Sequence, residues 1–319
     1  KDYDGNFGSN KCTIARNGSN IRGATDNIDL EKSNAGVVCI YVDATEGWQL
    51  FFDGSDADAQ ATFISATGGT VTCSGNDRIH TFTGPGTFTV NRISDVGDNN
   101  IVSYAVVAGG GGGGTGGGGA GGYRELKSPT TPYTASPLDG YPTAANRITV
   151  TASAFPITVG GGGTAGASCS PKGGNGGNSI FSDITSTGGG GGATYQPGNA
   201  AQTGGSGGGG TYSGSNTAGA AGNTPPTTPA QGNNGATGSP PGPYNRGGGG
   251  GGATAAGNAG GPSGVGGTGA TSCISASPVT RAGGGGGGGF TAGNPGGAGG
   301  SGGGGAGGDG TNSSPGNLG

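Results

Sequence analysis

The chain has no methionine, one histidine and one tryptophan among 319 residues, and charged residues make up only 9%. An average soluble domain is about a quarter charged. The missing methionine predicts a chain that starts inside a longer polypeptide or after processing. Thirteen Lys and Arg against seventeen Asp and Glu give a net charge of −4. A phosphate-binding surface needs clustered cations, so no nucleic-acid partner is expected. A lone Arg-Gly-Gly at Arg246–Gly248 does not change that. No apolar run approaches the roughly 18 residues of a membrane span, and no signal peptide is visible. The five cysteines, Cys12, Cys39, Cys73, Cys169 and Cys273, have neither metal-ligand nor disulfide spacing. Free thiols suit assembly in a reducing cytoplasm.

Catalytic sets are equally scarce. His80 lies in an alternating strand-like stretch, where a structural role is expected. One histidine outside the glycine-rich part leaves no nucleophile–base–acid set. Beyond residue 108 the acids are Glu125, Asp139, Asp183 and Asp309, too dispersed for paired carboxylate chemistry. The many Gly-x-Gly-x-x-Gly matches lack the strand–helix unit they require. Asp53–Asp58 has calcium-like acids but no closing Glu, and reads as a solvated linker. The chain is therefore expected not to be an enzyme and to carry no cofactor or metal.

What the chain has is glycine, 88 residues of it. Residues 1–108 hold 13 of these, which leaves 75 for the remaining 211 residues. Charge runs the other way, with 20 of the 30 charged residues before residue 100. The break near Ala108 separates two physical regimes.

The first regime reads as short strands. Asn17-Gly18 sits between β-rich stretches and predicts a hairpin. Val37–Asp43 and Gly47–Asp53 form a second strand pair across Ala44–Glu46, with Trp48 expected in a core or a subunit interface. About fifty residues is small for a self-sufficient core, and oligomerisation would relieve that. A further block follows. Thr70–Cys73, Ile79–Thr83, Thr87–Arg92 and Asn100–Ala108 are expected strands, with Phe82, Phe88 and Val90 facing inward.

The second regime alternates glycine runs with other segments. The runs include Gly109–Gly114, Gly116–Gly119, Gly188–Gly192, Gly247–Gly252 and Gly283–Gly289. Such composition by itself describes a flexible linker. Yet several runs are entered from strand-like stretches such as "SYAVVA" and "FPITV", which indicates repeated passes through one body. Interrupting residues are often three apart, as in Asn175/Asn178, Thr203/Ser206 and Ala298/Ser301. Three residues per turn is the period of a polyproline-II-type helix, which has no internal hydrogen bonds. Bare helices of this kind pack closely and bond to one another, the absent side chain making room for a neighbouring backbone. Collagen is excluded, because no long Gly-X-Y register with abundant proline exists.

The expected fold is mostly β and irregular with almost no α-helix. A β-module at 1–54 and a linker at 55–68 precede a β-strand block at 69–108. A polyglycine-II bundle with long surface loops then fills 109–319. The loops hold most of the tyrosine and proline, both suited to rigid contact surfaces. Tyr133, Tyr141, Tyr195, Tyr212, Tyr244 and Phe290 are the candidate contact residues.

Two stretches resemble known proteins. "GNFGSNKCTIARNGSNI", with "GVVCIYVDATEGWQLFF" after it, resembles a β-module repeated near the ends of many bacteriophage tail-fibre proteins. "VVAGGGGGG", "GGGGAGGYR" and "ITVGGGG" are similar to the glycine-rich adhesin domains at phage tail-fibre tips. The resemblance implies a virion protein, assembled in the host cytoplasm and acting outside it. It would recognise a bacterial outer-surface glycan or outer-membrane protein, joined to other fibre chains as a homotrimer. The alternative class is a purely structural spacer. A third, a receptor ectodomain built on polyglycine-II helices, is disfavoured by the missing disulfide pattern.

Overall fold

Asp43 shows how one residue sets a local fold. Its Oδ1 accepts hydrogen bonds from the N–H groups of Thr45 and Glu46 at 2.8 and 2.7 Å, closing a tight turn. In the computed structural model, which describes residues 1–52, 63–94, 96–166, 171–239, 245–261, 263–290 and 294–309, the chain divides into two units, Lys1–Thr62 and Phe63–Gly319.

The first unit contains two antiparallel pairs. β1 (Cys12–Ile14) pairs with β2 (Ile28–Leu30), and β3 (Val37–Asp43) pairs with β4 (Gly47–Phe52) across the Asp43 turn. Gly47 has φ +69°, and a Cβ there would lie 1.8 Å from the carbonyl oxygen of Asn20, so only glycine fits. The Asn17-Gly18 turn forms, with φ of 43° and 89° and a 3.0 Å bond from Ser19 N–H to the Arg16 carbonyl. Its expected hairpin does not. The strand partner of β1 is β2, fastened by Lys11 and Thr13 on Asp29 at 2.6 and 2.5 Å, while Ile21 is drawn into the core beside Trp48. That core is Ile21, Leu30, Ala35 and Leu50. Trp48 is 38% exposed, set edge-on to the Tyr41 ring, so it does not anchor the core.

The second unit begins with β5 (Ser65–Thr67), inside the stretch expected as linker. β6 (Thr70–Ser74) and β7 (Asp77–Thr81) form a hairpin, and β8 (Gly86–Arg92) follows. β9 (Tyr104–Val107) pairs with β10 (Tyr123–Leu126) around the first glycine tracts. β11 (Ala154–Thr158), β12 (Ser179–Phe181) and β13 (Ile184–Ser186) join β8 and β5 in one antiparallel sheet ordered β13-β12-β11-β8-β5. β14 (Ala270–Ser272) and β15 (Val279–Arg281) make a last ribbon. Strands from both sides of Ala108 thus share one sheet, and the expected block at 69–108 is not structurally separate. Helix among the described residues is confined to two 3₁₀ turns, Gly97–Asn100 and Ala144–Asn146. The sheet's core packs Val90, Tyr104, Leu126, Ile148 and Phe181, with Phe88 and Phe155 against them. His80 stacks edge-on to Phe88 and hydrogen-bonds the Gly68 carbonyl at 2.8 Å, a structural place.

The glycine tracts form a bundle with a repeat of three. In the tract 247–253, residues 247, 250 and 253 donate to the carbonyls of 288, 285 and 282. Residues 248 and 251 donate to 210 and 207, and residues 249 and 252 to 258 and 255. Three rows, one residue out of phase, thus serve three neighbours at 2.9 Å each, as three residues per turn require. A Cβ on Gly249, Gly250 or Gly251 would sit 2.0 Å from the carbonyl oxygens of Val265, Gly118 and Asn233 respectively. Side chains are absent because three other backbones occupy their places.

Candidate functional site

The hydrogen-bond register sorts the connecting segments between two ends of the bundle. Tract 116–122 runs antiparallel to 187–193, since 116, 119 and 122 donate to 193, 190 and 187. Ala193 therefore lies level with Thr115. So does Thr211, because Gly209 N–H donates to the Gly117 carbonyl, and so does Gly289, because Gly288 N–H donates to that of Thr115. The segments 114–116, 194–199 and 211–216 consequently lie at one end, with Gly260, Gly264 and Phe290. The sheet, the segment 127–153 and the segment 223–231 lie at the other.

This divides the expected contact residues. Tyr195, Tyr212 and Phe290 are at the end remote from the sheet, while Tyr133 and Tyr141 are at the sheet end. Tyr244 lies outside the described residues.

At the remote end, Phe290 is 52% exposed and stacks on Tyr212, with ring centroids 4.4 Å apart and planes 28° from parallel. Tyr212 itself is buried, so it presents its ring to Phe290 and not to solvent. The N–H of Phe290 bonds the Asn245 carbonyl at 3.0 Å, fixing its backbone. Tyr195 is half-buried and follows Thr194 on the same tract. A polar network ties these segments together. Thr115 Oγ1 bonds Thr211 Oγ1 at 2.7 Å and the Ala193 carbonyl at 2.9 Å. Buried Asn216 donates from Nδ2 to the carbonyls of Thr194 and Gln196 at 3.1 and 2.6 Å. Nothing in the local sequence marks Thr115 or Asn216. Their role depends on which tracts become neighbours.

At the sheet end the aromatic residues are used within their own segment. Tyr133 donates its hydroxyl to the Leu126 carbonyl at 3.2 Å, and Lys127 lies over its ring. Burial pushes its phenol pKa up. The Arg147 guanidinium covers the Tyr141 ring at 4.3 Å and its Nε donates to the Tyr141 carbonyl.

Beside them lies a group that sequence reading missed. Glu125 is 2% exposed, and its carboxylate accepts from Tyr123 Oη at 2.9 Å, Ser136 N–H at 3.0 Å and Ser272 Oγ at 2.5 Å. It joins β10, the 127–140 segment and β14. Burial, and then the Glu125 charge, raise the Tyr123 pKa. Asp139 is likewise engaged, with Oδ1 accepting from the N–H groups of Lys127 and Tyr141. Both carboxylates act as structural acceptors. No group of three metal-ligating side chains is found among the described residues, and Asp53–Asp58 lies outside them.

The class of protein this geometry defines is a bundle of glycine strands that displays its connecting segments at two ends. A family model for a glycine-rich domain matches residues 81–319, and the chain belongs to that family. No curated protein and no solved structure matches the chain. No helix among the described residues is long and apolar enough to cross a membrane.

Proposed function

We propose that the protein is a receptor-binding adhesin, a component of a phage tail fibre that recognises a bacterial outer-surface glycan or outer-membrane protein through the segments at the bundle's remote end. One observation carries this reading. The register gathers an exposed aromatic ring, Phe290, stacked on a buried one, with segments tied by Thr115 and Asn216, onto a scaffold whose neighbouring tracts hydrogen-bond to one another. A contact surface pre-ordered in this way loses little conformational freedom on binding.

The first unit supplies the second half of the reading. On one face of the β3–β4 ribbon, Val38, Ile40, Val42 and Phe51 are each at least half exposed. A contiguous apolar face of this kind on a small unit marks an interaction surface, and a two-stranded ribbon alone is at best marginally stable in water. Copies of this chain cover that face with one another, as a homotrimer in a virion fibre.

Binding of the labelled protein to a panel of bacterial cells and their outer-membrane fractions tests the function, comparing the native chain with Phe290→Ala plus Tyr195→Ala. Loss of binding with unchanged melting is expected. A native protein that binds no strain in the panel acts as a structural spacer instead. Sedimentation of Ile40→Lys, Val42→Lys separately tests association. Failure there leaves the adhesive reading standing.

A further inference from the structure

The rows of the bundle are not all filled. In tract 116–122 two rows donate to neighbours, residues 116, 119 and 122 to one and residues 117 and 120 to another. The third row, Gly118 and Gly121, donates to no described residue. In the adjoining tract, 108, 111 and 114 donate to 122, 119 and 116, and 109 and 112 to 177 and 174, while Gly110 finds no acceptor among the described residues. Gly118 and Gly121 are buried, and buried N–H groups require partners.

These three glycines border one cavity of about 230 Å³, lined also by Val107, Arg281 and Gly302. The Arg281 guanidinium is engaged within its own hairpin, with the Val279 carbonyl and Ser275 Oγ. The lining is therefore chiefly main chain, and the open donors recur at the three-residue step by which the tract 247–253 is bound on all its rows.

We infer that this cavity is a docking slot for an extended glycine-rich segment of another polypeptide, which adds itself as one more three-residue-per-turn strand. The chemistry of the occupant follows from the walls. It offers carbonyls on every third residue, about 9 Å apart along its axis. It carries no Cβ on the facing rows, because a strand near enough to accept from these amides stands at the spacing of the bundle's own tracts, where a Cβ does not fit: one on Gly118 would meet the carbonyl oxygen of its neighbour Gly111 at 2.1 Å. This is the three-fold counterpart of strand addition at a sheet edge, where main-chain bonds supply affinity and the side-chain row supplies selection. The slot does not involve the aromatic end, and the inference stands apart from the adhesive reading.

Amide-resolved hydrogen exchange on the full chain tests it, with the soluble peptide Ser-Gly-Gly-Gly-Gly-Ala-Gly-Gly-Asp as probe and the same peptide with every glycine changed to alanine as control. Saturating glycine peptide slows exchange at Gly110, Gly118 and Gly121 by about tenfold, the equivalent of one modest binding step, and the alanine peptide does not. No slowing, or equal slowing by both peptides, overturns the proposal. So does protection of these three amides in the protein alone equal to that of Gly117 and Ala120, since the slot is then already filled. Val107→Trp adds bulk to the lining and abolishes the slowing; slowing that persists in this variant places the peptide elsewhere and also overturns it. Should Val107→Trp unfold, the exchange data on the unsubstituted chain decide.

Discussion

The second unit is held together in two ways. Around Val90, Tyr104, Leu126, Ile148 and Phe181, side chains fill the space between strands and the backbone pairs in ladders. In the glycine tracts few side chains intervene, and each backbone is pressed against several others, with N–H groups reaching three separate neighbours from one tract. The first arrangement is stabilised by apolar area withdrawn from water. The second relies on polar main-chain groups finding partners once buried. The difference predicts opposite responses to substitution: the sheet core is damaged by removing atoms, the bundle by adding them.

The largest expected effect is therefore from the smallest addition. Gly250→Ala places a methyl 2.0 Å from the Gly118 carbonyl oxygen, in a tract bounded by neighbours on every row. Backbone cannot swing aside as a flexible side chain does. A destabilisation above about 4 kcal/mol is expected, in the range reserved for a named structural insult, and thermal melting measures it. Leu126→Ala, at a side chain with no exposure, comes next. A cost of about 3 kcal/mol is expected from transfer and cavity together. If Leu126→Ala proves worse than Gly250→Ala, the bundle yields more readily than its close contacts imply, and the contrast between the regions fails.

Glu125→Gln sharpens the boundary between them. The substitution keeps shape but replaces one acceptor oxygen with a donor, facing either Ser272 Oγ or the pair Tyr123 Oη and Ser136 N–H. A loss of about 1–3 kcal/mol follows from the buried mismatch. Because Glu125 links β10 to β14 across 147 residues of sequence, hydrogen exchange should quicken in β14 as well as around Ser136. Quickening confined to the 127–140 segment would mean that the two regions are not coupled through this carboxylate.

Much of this division is readable from the residues. Glycine runs with interruptions three apart point to the bundle, and apolar runs flanking Ala44–Glu46 point to the β3–β4 ribbon. The Asn17-Gly18 turn is legible but its strand partner is not, because Asp29, eleven residues further on, supplies the anchor for Lys11 and Thr13. Trp48 misleads for a related reason: its neighbours Tyr41 and Ile40 lie on an open ribbon, so apolar character alone does not imply burial. The division of Tyr133 and Tyr141 from Tyr195, Tyr212 and Phe290 is invisible in the sequence. Glycine tracts carry no side-chain pattern that names their neighbours, so the end to which a loop belongs emerges only from the register. Glu125 is hidden too, since a lone acid in "YREL" looks like any solvated strand residue until Ser136 and Ser272 arrive from elsewhere.

The smallest effect is the most discriminating, because it separates neighbouring glycines in one tract. A Cβ on Gly160 would stand 2.0 Å from the Gly177 carbonyl oxygen, whereas a Cβ on Gly161 meets nothing within 4 Å. Neither has a positive φ, so L-residues are tolerated by the backbone conformation at both. Gly161→Ala then acts chiefly on the unfolded chain, whose freedom it reduces, and is expected to stabilise by about 0.4–1 kcal/mol. Gly160→Ala is expected to destabilise by several times that amount, since the carbonyl it strikes belongs to a tract bonded on other rows. Equal losses at the two positions would mean that the tract needs glycine for its own backbone, and that the crowding neighbour is incidental. Opposite signs would assign the glycine requirement residue by residue to the strand that lies alongside.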